Sequence, residues 1–135
     1  MKKEIIETPT LAKPYAPYSP GLKVEEVKSF IFIAGVVPND VDGSIVCKGD
    51  IKGQMRQVLA NLRVTLEAAG ATFDDVIKLN TYVVADVMRE YIRHKVDFDY
   101  LQSFQSPVDT LIGVACLANE HQLVEVEALA VIGKE

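Results

Sequence analysis

Hydrophobic and polar positions alternate most clearly near the end of the chain. From Leu123 to Ile132, Val124, Val126, Ala128 and Ala130 alternate with Glu125, Glu127, Leu129 and Val131. A period of two predicts a strand with two different faces. The apolar run Thr110–Leu117 predicts another strand, joined to it by a turn at Ala118–His121, where Asn119 suits turn backbone. Further back, Ser29–Val37 is nearly continuously apolar and reads as a buried strand; Gly35 within it points to a bulge or a close approach. Ile45–Cys47 reads as a short edge strand and Val76–Ala85 as a longer one.

Helical spacing replaces this alternation in two places. Ile51, Met55, Val58, Leu59, Leu62 and Leu66 share one face of a helix over Asp50–Ala69, with Asp50 as its cap and Gly70 as its stop. Asn61 falls among these apolar positions, where a backbone partner is the usual explanation. Asp86 opens a second helix over about Val87–Phe104, with Met88, Tyr91, Ile92, Lys95, Phe98 and Leu101 or Tyr100 as its buried stripe. Pro9, Pro14, Pro17 and Pro20 predict an extended arm over residues 1–22, in which Tyr15 or Tyr18 either packs or lines a pocket. The order β, β, β, α, β, α, β, β predicts an α+β fold, a mixed sheet with two helices on one face. A sheet this apolar is economically covered by a symmetric oligomer.

Composition narrows the function. A chain of 135 residues is expected to form one domain, residues 1–135, and 49% hydrophobic content supplies a sizeable core. A net charge of -5 with scattered basic residues argues against nucleic acid as a partner. No apolar run approaches the roughly 20 residues of a membrane span. The N-terminus lacks the apolar stretch of a signal peptide. Two cysteines, Cys47 and Cys116, suit free thiols in a cytoplasmic chain, with Cys116 buried and inert. The two histidines and two cysteines have no metal-ligand spacing, and no phosphate-binding glycine loop is present, so neither metal nor cofactor is expected.

An ordered set of segments goes further. Ala16-Pro17-Tyr18, Ile33-Ala34-Gly35, Gln54-Met55-Arg56-Gln57-Val58-Leu59-Ala60-Asn61-Leu62, Glu67-Ala68-Ala69-Gly70, Asp75-Val76-Ile77-Lys78, Pro107-Val108-Asp109-Thr110 and Val124-Glu125-Val126-Glu127-Ala128-Leu129-Ala130 follow one another at matching spacings. In these the chain resembles the Rid/YjgF family of reactive-intermediate imine/enamine deaminases, also called L-PSP proteins, over nearly its whole length. The resemblance implies a chorismate-mutase-like fold. It also implies a homotrimer around an inner barrel, with a small-molecule pocket at each subunit interface. It implies that Glu125 positions the attacking water and that Tyr18 completes the catalytic group. Backbone near Gly35 lines the pocket, and His94 sits on a helix that approaches it.

The chain departs from the family where the substrate is clamped. The position of the family's arginine is Asp109, next to Thr110; the family's serine before the glycine is Ala34; the position that is often cysteine is Leu111. A carboxylate facing a substrate carboxylate repels it by about 1 kcal/mol in water and by several in a drier site. The resemblance therefore implies a deaminase-type hydrolase of altered specificity, in which Asp109 holds a cationic or amine-bearing ligand. A non-catalytic small-molecule-binding or regulatory trimer is the alternative. Ribonuclease or translation-inhibitor activity fits an acidic chain least. Glu125 and Glu127 as solvated residues at a strand end, and Asp109 as a turn cap, are the plainer readings.

Overall fold

The computed structural model describes residues 1–134. Six strands and three α-helices run in the order β1 (Lys2–Ile5), β2 (Leu22–Glu25), β3 (Val27–Val36), α1 (Ile51–Ala68), β4 (Val76–Val84), α2 (Ala85–Arg93), α3 (Val96–Leu101), β5 (Val108–Val114) and β6 (Val124–Gly133). The α+β class with a mixed sheet is as expected. The main sheet has the order β3-β6-β4-β5. Only β4 and β5 are parallel; β6 is antiparallel to both of its neighbours.

The closing strands are not the adjacent pair that their turn implied. β4 lies between them, and the segment from Ala115 to Leu123 carries the chain across it. A parallel pair needs a long crossover, and α2 with α3 supplies it between β4 and β5. Asn119 does organise the turn: its Oδ1 accepts from His121 N at 2.8 Å and its carbonyl from Gln122 N at 3.0 Å. The strand over Ile45–Cys47 is reduced to one bridge between Asn39 and Ile45. The start of the arm, read as extended, forms an antiparallel ribbon in which Lys2 pairs with Glu25.

Helix α1 begins at Asp50, whose Oδ1 accepts from Gly53 N at 3.0 Å. Its apolar stripe (Met55, Val58, Leu62, Leu66) packs with Leu79 and Val83 of β4 and with Val124, Val126 and Ala130 of β6. Asn61 Nδ2 donates to the carbonyls of Val37 and Asn39, both at 2.9 Å, so it ties the end of β3 to the helix. The predicted second helix is broken. His94 caps α2, and Lys95 takes a left-handed φ of 54° before α3. That turn resets the helical phase. Tyr91, Tyr100 and Leu101 are buried as predicted, whereas Ile92 and Phe98, placed in the stripe, are exposed.

The opposite face of the sheet carries no helix. Phe30 and Phe32 stand there with their rings stacked 6.4 Å apart, 59% and 81% exposed.

Candidate functional site

Alternation along β6 sends Val124, Val126 and Ala128 into the core and Glu125 and Glu127 onto the open face. Across the ladder, Asn80 pairs with Glu127 and Tyr82 with Glu125. Glu127 Oε1 accepts from Tyr82 Oη at 2.6 Å and from Asn80 Nδ2 at 2.7 Å. These two bonds hold the Glu127 carboxyl below the usual carboxylate range, and the same bond raises the Tyr82 hydroxyl.

Glu125 is held differently. Its Oε1 accepts from Gln122 Nε2 at 2.8 Å. Its Oε2 lies against Gly35, where any side chain would overlap it. Gly35 is placed there by a bulge. Ile33 pairs with Ala128 but Val36 with Val126, so β3 spends one residue more than β6 across Ala34 and Gly35. The expected close approach at Gly35 is therefore with the carboxylate of Glu125. Ala34 is exposed beside it, and a groove of about 550 Å³ runs over Ala34, Phe32, Leu129, Glu127, Asn80 and Lys78.

Asp109 lies on the other face of the sheet. It is paired with Leu79, a core residue, and its Oδ1 accepts from the fully buried Thr81 Oγ1 at 2.8 Å. Burial, together with the charge of Asp97 on α3, pushes the Asp109 carboxyl up from 3.8 to about 6, against the opposing bond from Thr81. The Tyr15 hydroxyl is pushed up to about 12 by partial burial of its tip and by the Asp97 carboxylate that it bonds, although the residue as a whole is 63% exposed. Tyr91, 0% exposed, is raised further by burial, and its hydroxyl has no hydrogen-bond partner among the described residues. Ser19 brings the arm to this cluster by donating from N to the carbonyl of Pro107 at 2.9 Å and from Oγ to that of Ser106 at 2.5 Å. Tyr18 then meets Tyr15 edge to face, ring centroids 5.8 Å apart.

The expected site residues thus fall into two groups within one chain. Glu125, Gly35 and Ala34 gather on the open face, where the exposed Thr110 also pairs with Asn80. Asp109 and Tyr18 gather on the helix side at the edge strand β5. Leu111 pairs with Thr81 and packs against the core. His94 is an exposed helix cap whose contacts join neither group. Cys116 is exposed beyond the end of β5, not buried on a strand, because the ladder stops at Val114. Gln122, Tyr82, Asn80 and Asp97 were not anticipated. Asp97 and Gln122 are buried polar residues; the partner of Asp97, Tyr15, comes from a distant segment, so no local spacing marks it, whereas Gln122 lies three residues before Glu125, a spacing that the sequence shows.

The chain matches the family described as endoribonuclease L-PSP over residues 9–132. It belongs to that family, the Rid/YjgF proteins. A RutC family protein of Pyrococcus horikoshii is 38% identical over 130 residues, 95% of this chain and 97% of that one. A Rid-family protein of Yersinia pestis, YyfB, superposes with a TM-score of 0.83 at 32% identity, covering 98% of this chain and 100% of its own. A protein of Dermatophagoides farinae named 2-iminobutanoate/2-iminopropanoate deaminase is 29% identical over 140 residues, 96% of this chain and 97% of that one. The Rid fold therefore accounts for the strand order and for the helix-free face.

Proposed function

We propose that this Rid protein is a deaminase-type hydrolase whose imine or enamine substrate carries an amine or other cationic group in place of a carboxylate. One observation carries the reading. Glu125 is fixed by Gln122 through one oxygen while the other, Oε2, accepts no hydrogen bond among the described residues. A carboxylate so held is a base aimed at a water. Water adds to the imine carbon and gives its proton to Glu125. Glu125 returns it to nitrogen, and the carbinolamine collapses to a carbonyl compound and ammonia. Only water is consumed, so no cofactor is needed.

The complete site lies between subunits. The Glu125 face of one copy meets the β5 edge of the next, bringing Asp109 and Tyr18 to the substrate. Exposed Phe30 and Phe32 support an assembly of copies, and a homotrimer is the form we propose. Asp109 supports a cationic substrate because it repels a carboxylate. The kinship to a named 2-iminobutanoate/2-iminopropanoate deaminase supports the reaction class. An acidic chain with Glu125 and Glu127 on its open face suits RNA poorly. Among the described residues, no helix is long and apolar enough to cross a membrane. Exposed free thiols at Cys47 and Cys116 suit the cytoplasm.

Imines that keep a second amine, released in situ by a flavin-dependent amine oxidase from diamines, test the reading. Ammonia release by the wild type, lost in Glu125→Gln, is expected; equal rates for the two proteins overturn it. The separation of Asp109 from Glu125 within one chain favours a second reading, a ligand-binding protein without turnover. In that case Glu125→Gln changes affinity alone.

A further inference from the structure

Gln122 is a costly residue where it stands. It is 3% exposed, and a buried amide without partners is unfavourable. An apolar residue would fill the same space. Its Nε2 instead donates to Glu125 Oε1 at 2.8 Å, with a longer contact of 3.5 Å to the carbonyl of Val124.

The backbone around Gln122 is fixed on both sides. Gln54, fully buried on α1, donates from Nε2 to the carbonyl of His121 at 2.8 Å and accepts at Oε1 from Leu123 N at 2.8 Å. The same Nε2 reaches the carbonyl of Cys47 at 3.3 Å. The Leu123 carbonyl accepts from Val84 N at 3.0 Å, and Gln122 N donates to the carbonyl of Asn119 at 3.0 Å. One core side chain therefore grips the residues before and after Gln122, and the ladder grips the next. Gln122 has a fixed origin and a single strong acceptor.

We propose that Gln122 is the positioning residue of Glu125, with Gln54 as the clamp that fixes Gln122. The catalytic part of this assignment rests on the reading of Glu125 as the base. The bond occupies Oε1 and turns Oε2 toward the bulge at Gly35, so the oxygen that meets water is selected. Gln122 itself touches no substrate. Its effect belongs to the orientation of the reacting carboxylate, where small displacements are costly in rate.

The test pairs kinetics with a measurement that needs no substrate. Gln122→Met keeps the side-chain size and removes the donor. With amine-bearing imines released from diamines by a flavin-dependent amine oxidase, kcat is expected to fall about tenfold with KM unchanged. Gln122→Glu sets a second carboxylate against Glu125 and is expected to lose more, with partial recovery at acid pH. Thermal melting of each variant identifies any general loss of fold. In the substrate-free protein, the side-chain amide resonances of Gln122 are expected to sit away from those of a free amide in the wild type and to move in Glu125→Gln. A kcat for Gln122→Met equal to the wild type, or amide resonances indifferent to Glu125, overturns the proposal. If those resonances follow Glu125 but the wild type releases no ammonia, the imine reading fails and the positioning contact stands.

Discussion

The carboxylate of Glu125 occupies the space that a side chain at position 35 would fill. Gly35 is therefore required for contact with Glu125, and its φ is not in the left-handed region. Gly35→Ala is expected to push Glu125 off its bond from Gln122. Overpacking of this kind costs about 1–3 kcal/mol. Urea unfolding should show that loss, and ammonia release should fall more steeply than folded protein does. A crystal structure of the variant with Glu125 unmoved contradicts the expectation.

Asp109 sets a pH dependence of stability. Its carboxyl is raised from 3.8 to about 6 by burial and by Asp97, with Tyr15, Tyr91, Tyr100 and Thr81 as its other neighbours. The folded state thus holds this proton after the unfolded chain has released it. The favourable contribution is complete below about pH 4, is lost as pH rises through about 6, and changes no further above that. Asp109→Asn should flatten this slope and raise stability near pH 7 by about 2–3 kcal/mol. Urea unfolding between pH 4 and pH 7 measures both; parallel curves for the two proteins would contradict the assignment.

On the proposed function, position 109 also sets substrate charge. Asp109→Arg replaces repulsion with a bidentate partner for a carboxylate. Asp97, near Tyr15 and Asp109, offers the new guanidinium a counter-charge. The variant is expected to gain ammonia release from 2-iminobutanoate and to lose it from imines bearing an amine. Unchanged preference in a folded variant would show that position 109 does not select the substrate.

The helix-free face makes its own prediction. Phe32, 81% exposed beside Phe30, becomes an interface anchor once copies assemble. Phe32→Asp should convert the assembly to monomers, read as mass by light scattering after gel filtration. On the shared-site proposal, imine turnover disappears with it. An unchanged mass would remove the shared-site reading.

The sequence was most legible where one segment decides its own structure. Asp50, the stripe from Ile51 to Leu66 and Gly70 define a helix without outside help. The alternation of Val124 with Glu125 assigns faces correctly. Pairing was less legible, because periodicity reports which face a residue takes and not which strand lies alongside. Thr110–Leu117 and Leu123–Ile132 looked like neighbours because they are consecutive, yet β4 separates them. Lys95 breaks the second helix in a conformation that lysine rarely adopts, so its identity gave no warning. The family pattern pointed to Glu125, Gly35 and Asp109 as candidates. It did not show that a sheet stands between Asp109 and Glu125, or that Gln122 bonds the glutamate while Gln54 holds the backbone on either side of Gln122.

The position of β6 has a consequence for biosynthesis. The strand that joins β3 to β4 follows both of them in the chain, so the earlier strands wait as two unjoined pieces with bare edges. Contacts between segments this far apart in sequence form late. Closure of the sheet accordingly waits until β6 has emerged, and a nascent chain stalled before Val124 exposes both edges to aggregation. Stalled chains of increasing length, probed by limited proteolysis, should become resistant only when the whole of β6 has cleared the exit tunnel.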